Sequence, residues 1–199
     1  MSVDTGRSSF QRYESILLLL VKFFSVTPGL IKRIVWSFFD GYEGKVSVGV
    51  RYCLFASAAK SCGRNVFIGR GVVLKNIENL AIGDNVSIHA GCYVDAFGGV
   101  EIGDNVSIAH HSSIVSFEHT WEDPVIPIKY NKIRSTGIHI AADVWIGCGV
   151  RVLDGCVIGR RVVVAAGSVA KGDLEGFSLY GGVPVKRLKS FENPTIVAT

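Results

Sequence analysis

The sequence predicts an all-β protein, a parallel β-helix preceded by an N-terminal helical segment. Two observations carry this prediction. The heptamer IGDNVSI occurs at 82–88 and again at 102–108, which defines a repeat of 20 residues. Inside that repeat, aliphatic residues recur every sixth position from Ile68 to Val164. The chain also has 23 glycines against 5 prolines, which favours many tight turns over a helical bundle.

A spacing of six fits neither an α-helix of period 3.6 nor a two-sided strand of period 2. It fits a β-helix in which each hexapeptide forms one flat side and one corner, with the aliphatic side chain inside. Three sides give coils of about 18 residues, so we expect the units of 20 to contain two-residue bulges, at Leu80-Ala81 and Val100-Glu101. The thirteen aliphatic positions are Ile68, Leu74, Ile82, Ile88, Val94, Ile102, Ile108, Ile114, Ile140, Ile146, Val152, Ile158 and Val164.

The repeat is interrupted once, between His119 and Ile140, by a stretch with two prolines and no period of six. A long excursion from a regular solenoid is usually functional, so we expect a protruding loop at 120–139. The predicted organisation is listed in chain order: an N-terminal helical segment at 1–45, a transition at 46–61, the β-helix at 62–175 and a tail with a short C-terminal helix at 176–199.

The amino-acid composition and net charge exclude some classes of protein and favour others. Of 199 residues, 48% are hydrophobic, which excludes a disordered chain, and the mean hydropathy of +0.35 raises the question of a membrane. The net charge of +4 suits an anionic small ligand or a membrane surface, but no dense Lys/Arg stripe indicates nucleic acid. Five cysteines without a C-x-x-C pair predict no disulfide framework and no zinc knuckle, as in a reducing cytoplasmic compartment.

The stretch 15–39 carries much of the hydrophobicity. Lys22, Pro28-Gly29 and Lys32-Arg33 interrupt it, so it predicts two short helices rather than a membrane-spanning helix, and its flanks do not resemble a signal peptide. Two interpretations stay open. The helices lie in a membrane interface, which would place the protein at the inner face of the membrane, or they pack on the main domain or a neighbouring subunit.

Three stretches resemble the hexapeptide-repeat acyltransferases, and in particular their galactoside, maltose, virginiamycin and polysaccharide O-acetyltransferase branch. These are IGDNVSIAHHSSIVSFEH at 102–119, DVWIGCGVRVLDGCVIG at 143–159, and AAGSVAKGD…GGVPVKRLK from 165 through 189. The resemblance covers about residues 62–190. It implies a left-handed β-helix, a homotrimer with active sites between subunits, and acetyl-CoA as acyl donor without a metal.

Acetyl transfer to a hydroxyl needs a base near the hydroxyl and donors for the developing oxyanion. His119 ends the coil that resembles the family's catalytic coil, so the resemblance assigns it as general base. The alternative is a histidine in a surface turn. Because adjacent residues of a flat strand point in opposite directions, at most one of His110 and His111 faces the cleft. The acceptor-binding candidates are His89, Asp95, His110, Glu118 and Trp121, with Glu122 and Asp123 beside them.

The coenzyme A candidates follow from the second and third motifs. The positions that match the pantetheine groove and the phosphate contacts are Trp145, Cys148, Ala166, Gly167, Lys171, Lys186 and Lys189, with Arg187 behind the last two. Lys171 precedes Gly172-Asp173, whereas the family pattern has Lys directly before Asp, so the lysine that meets the 3′-phosphate stays open. We interpret Cys148 as a small lining residue because the family transfers the acyl group directly.

These features predict an O-acetyltransferase that acts on a sugar hydroxyl in surface polysaccharide synthesis, with a glycan acceptor that is free or lipid-linked. An N-acyltransferase on an amino sugar or nucleotide sugar would use the same base. The γ-type carbonic anhydrases share the fold, but the histidine spacing here differs from their zinc ligands. A non-catalytic scaffold would have no use for His119 and the coenzyme A motif.

Overall fold

The computed structural model describes residues 6–192. Three helices precede a three-sided parallel coil, and each side of the coil is a parallel sheet along its length. The helices are α1 (Gly6–Ser25), α2 (Gly29–Asp40) and α3 (Lys45–Ala56). Among the described residues, no helix is both long and apolar enough to cross a bilayer. The parallel β-helix is thus confirmed, and its left hand stays a prediction from the resemblance.

The strands divide among three faces. The first face contains β1 (Ser61–Cys62), β4 (Leu80–Ile82), β7 (Val100–Ile102), β12 (Ile138–Ile140), β15 (Val157–Ile158) and β18 (Asp173–Leu174). The second contains β2 (Phe67–Ile68), β5 (Ser87–Ile88), β8 (Ser107–Ile108), β13 (Trp145–Ile146), β16 (Val162–Val164), β19 (Ser178–Gly181) and β20 (Lys186–Ser190). The third contains β3 (Val73–Lys75), β6 (Tyr93–Asp95), β9 (Ser113–Val115), β14 (Arg151–Val152) and β17 (Val169–Ala170). Outside them, β10 (Glu118–His119) pairs with β11 (Ile133–Arg134).

We number the corners by the faces they connect: the first corner joins the first and second faces, the second corner joins the second and third, and the third corner returns to the first. The core is the stack of aliphatic side chains that the period of six predicts. Twelve of the thirteen predicted positions are buried, and Leu74 is partly buried. Removing this apolar surface from water stabilises the coil.

The predicted bulge positions are wrong. Leu80-Ala81 and Val100-Glu101 lie in β4 and β7, where they pair in regular register. The extra residues lie instead in the third corner, at a 3₁₀ turn over Ile77–Asn79 and at 96–99. The excursion after β9 leaves from this same corner, and β12 resumes the coil at Ile138. In these coils, the first and second corners keep six residues between successive aliphatic positions. The number of residues therefore varies only at the third corner.

The two predicted N-terminal helices are present, and α3 is an additional helix in the predicted transition. α1 and α2 pack against α3, which lies over β1 and β2 at the start of the coil. The buried Arg51 of α3 donates hydrogen bonds to the carbonyl oxygens of Phe39, Tyr42 and Ile68, at 2.7, 2.9 and 2.8 Å. This guanidinium joins the end of α2 to the first strand of the second face. It supplies a partner to the carbonyl of the buried Ile68 at the open start of the coil.

No helix follows the coil within the described residues. In place of the expected C-terminal helix, β19 and β20 form an antiparallel pair that closes the second face, with Tyr180 opposite Arg187. Arg187 donates to Glu175 at 2.5 Å. The remaining part of the predicted tail, 193–199, lies outside the described residues.

Candidate active site

His119 lies where the excursion leaves the third corner. Its strand β10 pairs antiparallel with β11, so that His119 is opposite Ile133. The side chain is exposed, and its ring contacts the edge of Phe117 with centroids 6.2 Å apart. Phe117 in turn packs against Phe97 at 5.5 Å. A two-stranded base and an aromatic wall therefore hold an accessible imidazole, which is what a general base needs.

Glu118 anchors the base of the excursion by charge. Its carboxylate accepts hydrogen bonds from Arg134 of β11 and, at 3.4 Å, from Lys171 two coils later. The hydrogen bond from Arg134, with the nearby Lys171, lowers the pKa of Glu118 below its ordinary value. Lys171, a predicted coenzyme A residue, is therefore held at the base of the excursion by an ion pair with Glu118, the residue before His119.

The protruding loop is ordered from inside by Asn131. This buried side chain donates to the carbonyl oxygens of Asp123 and Ile126, at 2.9 and 3.0 Å. Its amide oxygen accepts from the Asp123 N–H at 3.3 Å and lies 3.5 Å from the hydroxyl of Thr120. Trp121 at the start of the loop is exposed, as an acceptor-stacking residue must be. The side-chain amide of Asn131 thus supplies hydrogen-bond partners to backbone groups of the loop, which forms no regular strand pairing there.

The return of the excursion is held by Asp154, a buried carboxylate of the third corner one coil later. Its two oxygens accept from the Thr136 N–H at 2.9 Å each, and one accepts from the Gly137 N–H at 3.0 Å. Bonds from backbone N–H groups to a carboxylate are among the stronger hydrogen bonds in proteins. Asp154 therefore fixes where the chain re-enters β12.

Asp95 is a predicted acceptor residue that the structure places in the wall of the coil. Its side chain is buried, accepts from the Asn76 amide at 2.6 Å, and lies 3.3 Å from the Tyr93 hydroxyl. Its backbone oxygen accepts from Ser116 at 2.9 Å and 3.1 Å. These contacts account for the carboxylate as a structural support of the third corner, below Phe97 and Phe117.

The second corner collects another group of predicted residues. Backbone hydrogen bonds join successive coils at this corner. The Gly149 N–H donates to the His110 carbonyl oxygen at 3.0 Å, and the Gly167 N–H, next to Ala166, donates to the Cys148 carbonyl oxygen at 2.8 Å. The structure brings together His89, His110, Cys148, Ala166 and Gly167 along this corner. Small residues at the later coils leave the backbone accessible to a narrow ligand.

The premise about His110 and His111 is wrong, because both lie in the second corner and not in a flat strand. His111 adopts a positive φ of 58°, and the two rings meet edge to face with centroids 5.5 Å apart. Both side chains are exposed. His89 of the preceding coil contacts Phe67 at 5.5 Å, and partial burial and the nearby His110 lower the pKa of His89.

The remaining coenzyme A candidates lie on the second face and its end. Trp145 of β13 is exposed and lines an open cavity of about 580 Å³ with Arg161, whose guanidinium pairs with Asp143 at 2.7 Å. Lys186 and Lys189 are exposed on β20. His119 and Lys171 lie at the third corner, and the groove residues lie at the second corner. Within a single chain, the width of the third face therefore separates these two groups.

Sequence reasoning missed three residues that build the site. Arg134, Asn131 and Asp154 hold the base, interior and return of the protruding loop. Asp154 had a detectable signal, because it is an aspartate directly before a glycine inside the repeat motif at 143–159. Asn131 had none, since an asparagine in a polar loop is typical of any turn.

Comparison with known proteins points to one family. Residues 137–172 match the model described as bacterial transferase hexapeptide (six repeats). A putative lipopolysaccharide biosynthesis O-acetyl transferase of Escherichia coli K12 is 37% identical over 82 residues, 40% of this chain and 42% of that protein. A dTDP-4-amino-4,6-dideoxy-D-glucose acyltransferase of Escherichia coli is 38% identical over 64 residues, 32% of this chain and 33% of that protein.

The chain thus spans less than half the length of these curated relatives. A solved maltose O-acetyltransferase from Clostridium difficile superposes with a TM-score of 0.74 over 88% of this chain and 89% of that one, at 24% identity. That likeness concerns the fold, which agrees with the three faces and the period of six. Residues 137–172 thus match the hexapeptide repeat of bacterial transferases, and the solved structure shares the fold of the chain.

Proposed function

We propose that the chain is an acetyl-CoA-dependent O-acetyltransferase that acts on a sugar hydroxyl, with His119 as general base. The observation that carries the proposal is the accessible imidazole of His119 at the base of an excursion that is ordered by Glu118, Asn131 and Asp154. A surface turn would not require so many buried polar contacts behind it.

The proposed reaction is direct transfer. The imidazole of His119 takes the proton of the sugar hydroxyl while the hydroxyl oxygen attacks the thioester carbonyl carbon. Backbone N–H groups stabilise the oxyanion, and its collapse breaks the carbon–sulfur bond. The leaving thiolate takes the proton back from the imidazolium. No charge remains on His119, so the base is regenerated in each turnover.

The proposed assembly is a homotrimer. In one chain, the base at the third corner and the groove at the second corner are separated by a whole face. A three-fold axis would bring the third corner of one copy against the second corner of the next and complete a site between them. The pantetheine arm would then lie along Cys148, Ala166 and Gly167, with Trp145, Lys186 and Lys189 toward the nucleotide end.

We further propose a role in surface polysaccharide synthesis on the cytoplasmic side, with a glycan acceptor that is free or lipid-linked. The lipopolysaccharide relative supports this acceptor class. The nucleotide-sugar relative supports the alternative, N-acylation of an amino sugar by the same base. Transfer assays with neutral sugars, amino sugars and their nucleotide derivatives discriminate the two, because an amide product resists mild alkali and an ester does not.

The test of the base is His119→Ala. We expect turnover to fall about 10²-fold or more, with acetyl-CoA affinity nearly unchanged, because the base acts only on the acceptor. The matched control is His139→Ala, since His139 is also exposed but lies on the first face beside Glu101. Calorimetry measures acetyl-CoA affinity and a thiol-release assay measures turnover. Near-normal turnover of His119→Ala would contradict the assignment.

A further inference from the structure

The outer surface of the N-terminal helices is apolar. α1 turns Leu17, Leu20 and Phe24 toward the protein, and these are buried or partly buried. Its opposite side is exposed, and the rows of exposed apolar residues on the two helices are Ile16, Leu19 and Phe23 on α1, and Leu30, Ile34 and Phe38 on α2. We call these six residues the outer apolar rows. Their spacings of three and four place each row on one side of its helix.

These side chains are far more exposed than core residues. Leu19 is 68% exposed, Phe23 61%, Leu30 70% and Phe38 64%. Val26, in the turn between the helices, is also exposed, at 82%. Many exposed large apolar side chains within one short segment indicate an interaction site.

Acidic and basic side chains near the outer apolar rows have different surroundings. Among residues 6–45, the acidic side chains face the β-helix: Glu14 pairs with Arg64 at 2.6 Å, and Asp40 accepts from the Gly71 N–H at 3.1 Å. Glu43 pairs with Arg70 at 3.2 Å. The cations that flank the rows are Arg12, Lys22, Lys32 and Arg33, and none of them forms an ion pair within residues 6–192.

We propose that the outer apolar rows dock the protein onto the surface of an anionic phospholipid bilayer. The apolar side chains enter the boundary of headgroups and acyl chains, and Lys22, Arg33 and their neighbours meet the lipid phosphates. Tyr13 and Tyr42, also exposed, are suited to the headgroup level. The proposal goes beyond the transferase activity and stands independently of it.

Charge favours a bilayer over a second copy of this chain. A homotypic contact through the same surface would bring the four unpaired cations of one copy near those of the other. The acids of this segment within residues 6–192 are not free to neutralise them, because Glu14, Asp40 and Glu43 are engaged with the β-helix. An anionic lipid surface supplies the missing negative charge without changing those contacts.

Vesicle co-sedimentation of the full chain tests the proposal. We expect binding to vesicles of phosphatidylglycerol and phosphatidylcholine, and much weaker binding to phosphatidylcholine alone. Lys22→Gln with Arg33→Gln should lower the partition coefficient about fivefold for each cation, roughly 25-fold together. Leu19→Gln with Ile34→Gln should lower it at least about tenfold, since both side chains leave the interface.

The matched control is Arg160→Gln, which removes an exposed cation of the first corner far from the rows and should leave vesicle binding unchanged. Circular dichroism confirms that each variant keeps its helices, which is expected because the replaced residues are exposed. Absence of binding, or equal binding to both kinds of vesicle, would overturn the proposal. So would a change of oligomeric mass in the Leu19/Ile34 variant without vesicle binding by the original chain, because the occupant would then be a second copy.

Discussion

Asp154 gives the sharpest test of how the protruding loop is held. Replacing it with alanine removes the acceptor of the Thr136 and Gly137 N–H groups and leaves His119 and every residue of the loop itself unchanged in sequence. The side chain is only 7% exposed, so solvent competes poorly for these bonds while the loop is closed. The substitution therefore acts on the return of the excursion alone.

The size of the effect follows from the contacts. A hydrogen bond to a charged group contributes about 1.5–3 kcal/mol, so two N–H groups give about 3–6 kcal/mol. Thr136 is exposed, and water reaches its N–H once the carboxylate is gone, so we expect the lower end. A loss of about 3 kcal/mol raises the population of the opened return roughly 10²-fold.

Hydrogen exchange measured by mass spectrometry reports this opening directly. Peptides that cover 133–140 should exchange roughly 10²-fold faster in Asp154→Ala. The exchange rate of Asp154→Asn should lie between those of the original chain and Asp154→Ala, because its single side-chain carbonyl oxygen can still accept from one N–H group. Peptides from the second face should not change, since the coil keeps its stacked core.

Asp123 offers a matched control in the same loop. Its carboxylate also accepts from two backbone N–H groups, those of Val125 and Ile126 at 2.9 and 3.3 Å, but the residue is exposed. Water replaces these bonds at little cost, so Asp123→Ala should accelerate exchange far less. Equal effects of Asp123→Ala and Asp154→Ala, or unchanged exchange at 133–140 in Asp154→Ala, would refute the role assigned to Asp154.

Two further predictions concern pH and coil spacing. Arg134 lowers the pKa of Glu118 below its ordinary 4.5, so the stabilisation is present above pH 4.5 and is lost as pH falls through the lower folded-state value. Loop exchange, corrected for its intrinsic pH dependence, should rise only below about pH 4.5, and Glu118→Gln should abolish that rise; a transition that persists in Glu118→Gln would assign it elsewhere. Gly69→Ala would place Cβ 2.6 Å from the Ala90 nitrogen and should cost about 3 kcal/mol, measured by urea unfolding. Gly71→Ala meets no atom closer than 4.0 Å but carries a φ of +62°, so about 1 kcal/mol is expected, and an equal loss in both would contradict the steric argument.

The period of six predicted the coil and its core because each face buries one aliphatic residue per hexapeptide. It did not locate the extra residues of the units of 20. The repeat length shows that each unit has two additional residues, but it does not show at which corner they lie. The structure places them at the third corner, whereas the first and second corners keep six residues between aliphatic positions. The excursion at 120–139 was predictable from the same break in phase.

Residues that depend on tertiary contacts were not predictable. α3 lacks a clear helical stripe, since it caps the coil and buries residues around much of its surface, Arg51 included. No C-terminal helix forms through residue 192, because the stretch with Lys186 and Lys189 extends the second face as a strand. Asp95 was expected to meet a sugar, but its neighbour Asn76, brought close only by the adjacent coil, holds it in the wall.

The two ends of the coil have a consequence for solubility. A parallel β-helix finishes in open strand edges, and such edges can template the stacking of one molecule on another. At the start, α3 covers β1 and β2, and the Arg51 guanidinium occupies the Ile68 carbonyl that a foreign strand would seek. At the finish, the edge strand β20 presents Lys186, Arg187 and Lys189. Like charges would repel an approaching copy, so these exposed cations disfavour end-to-end stacking of the solenoid.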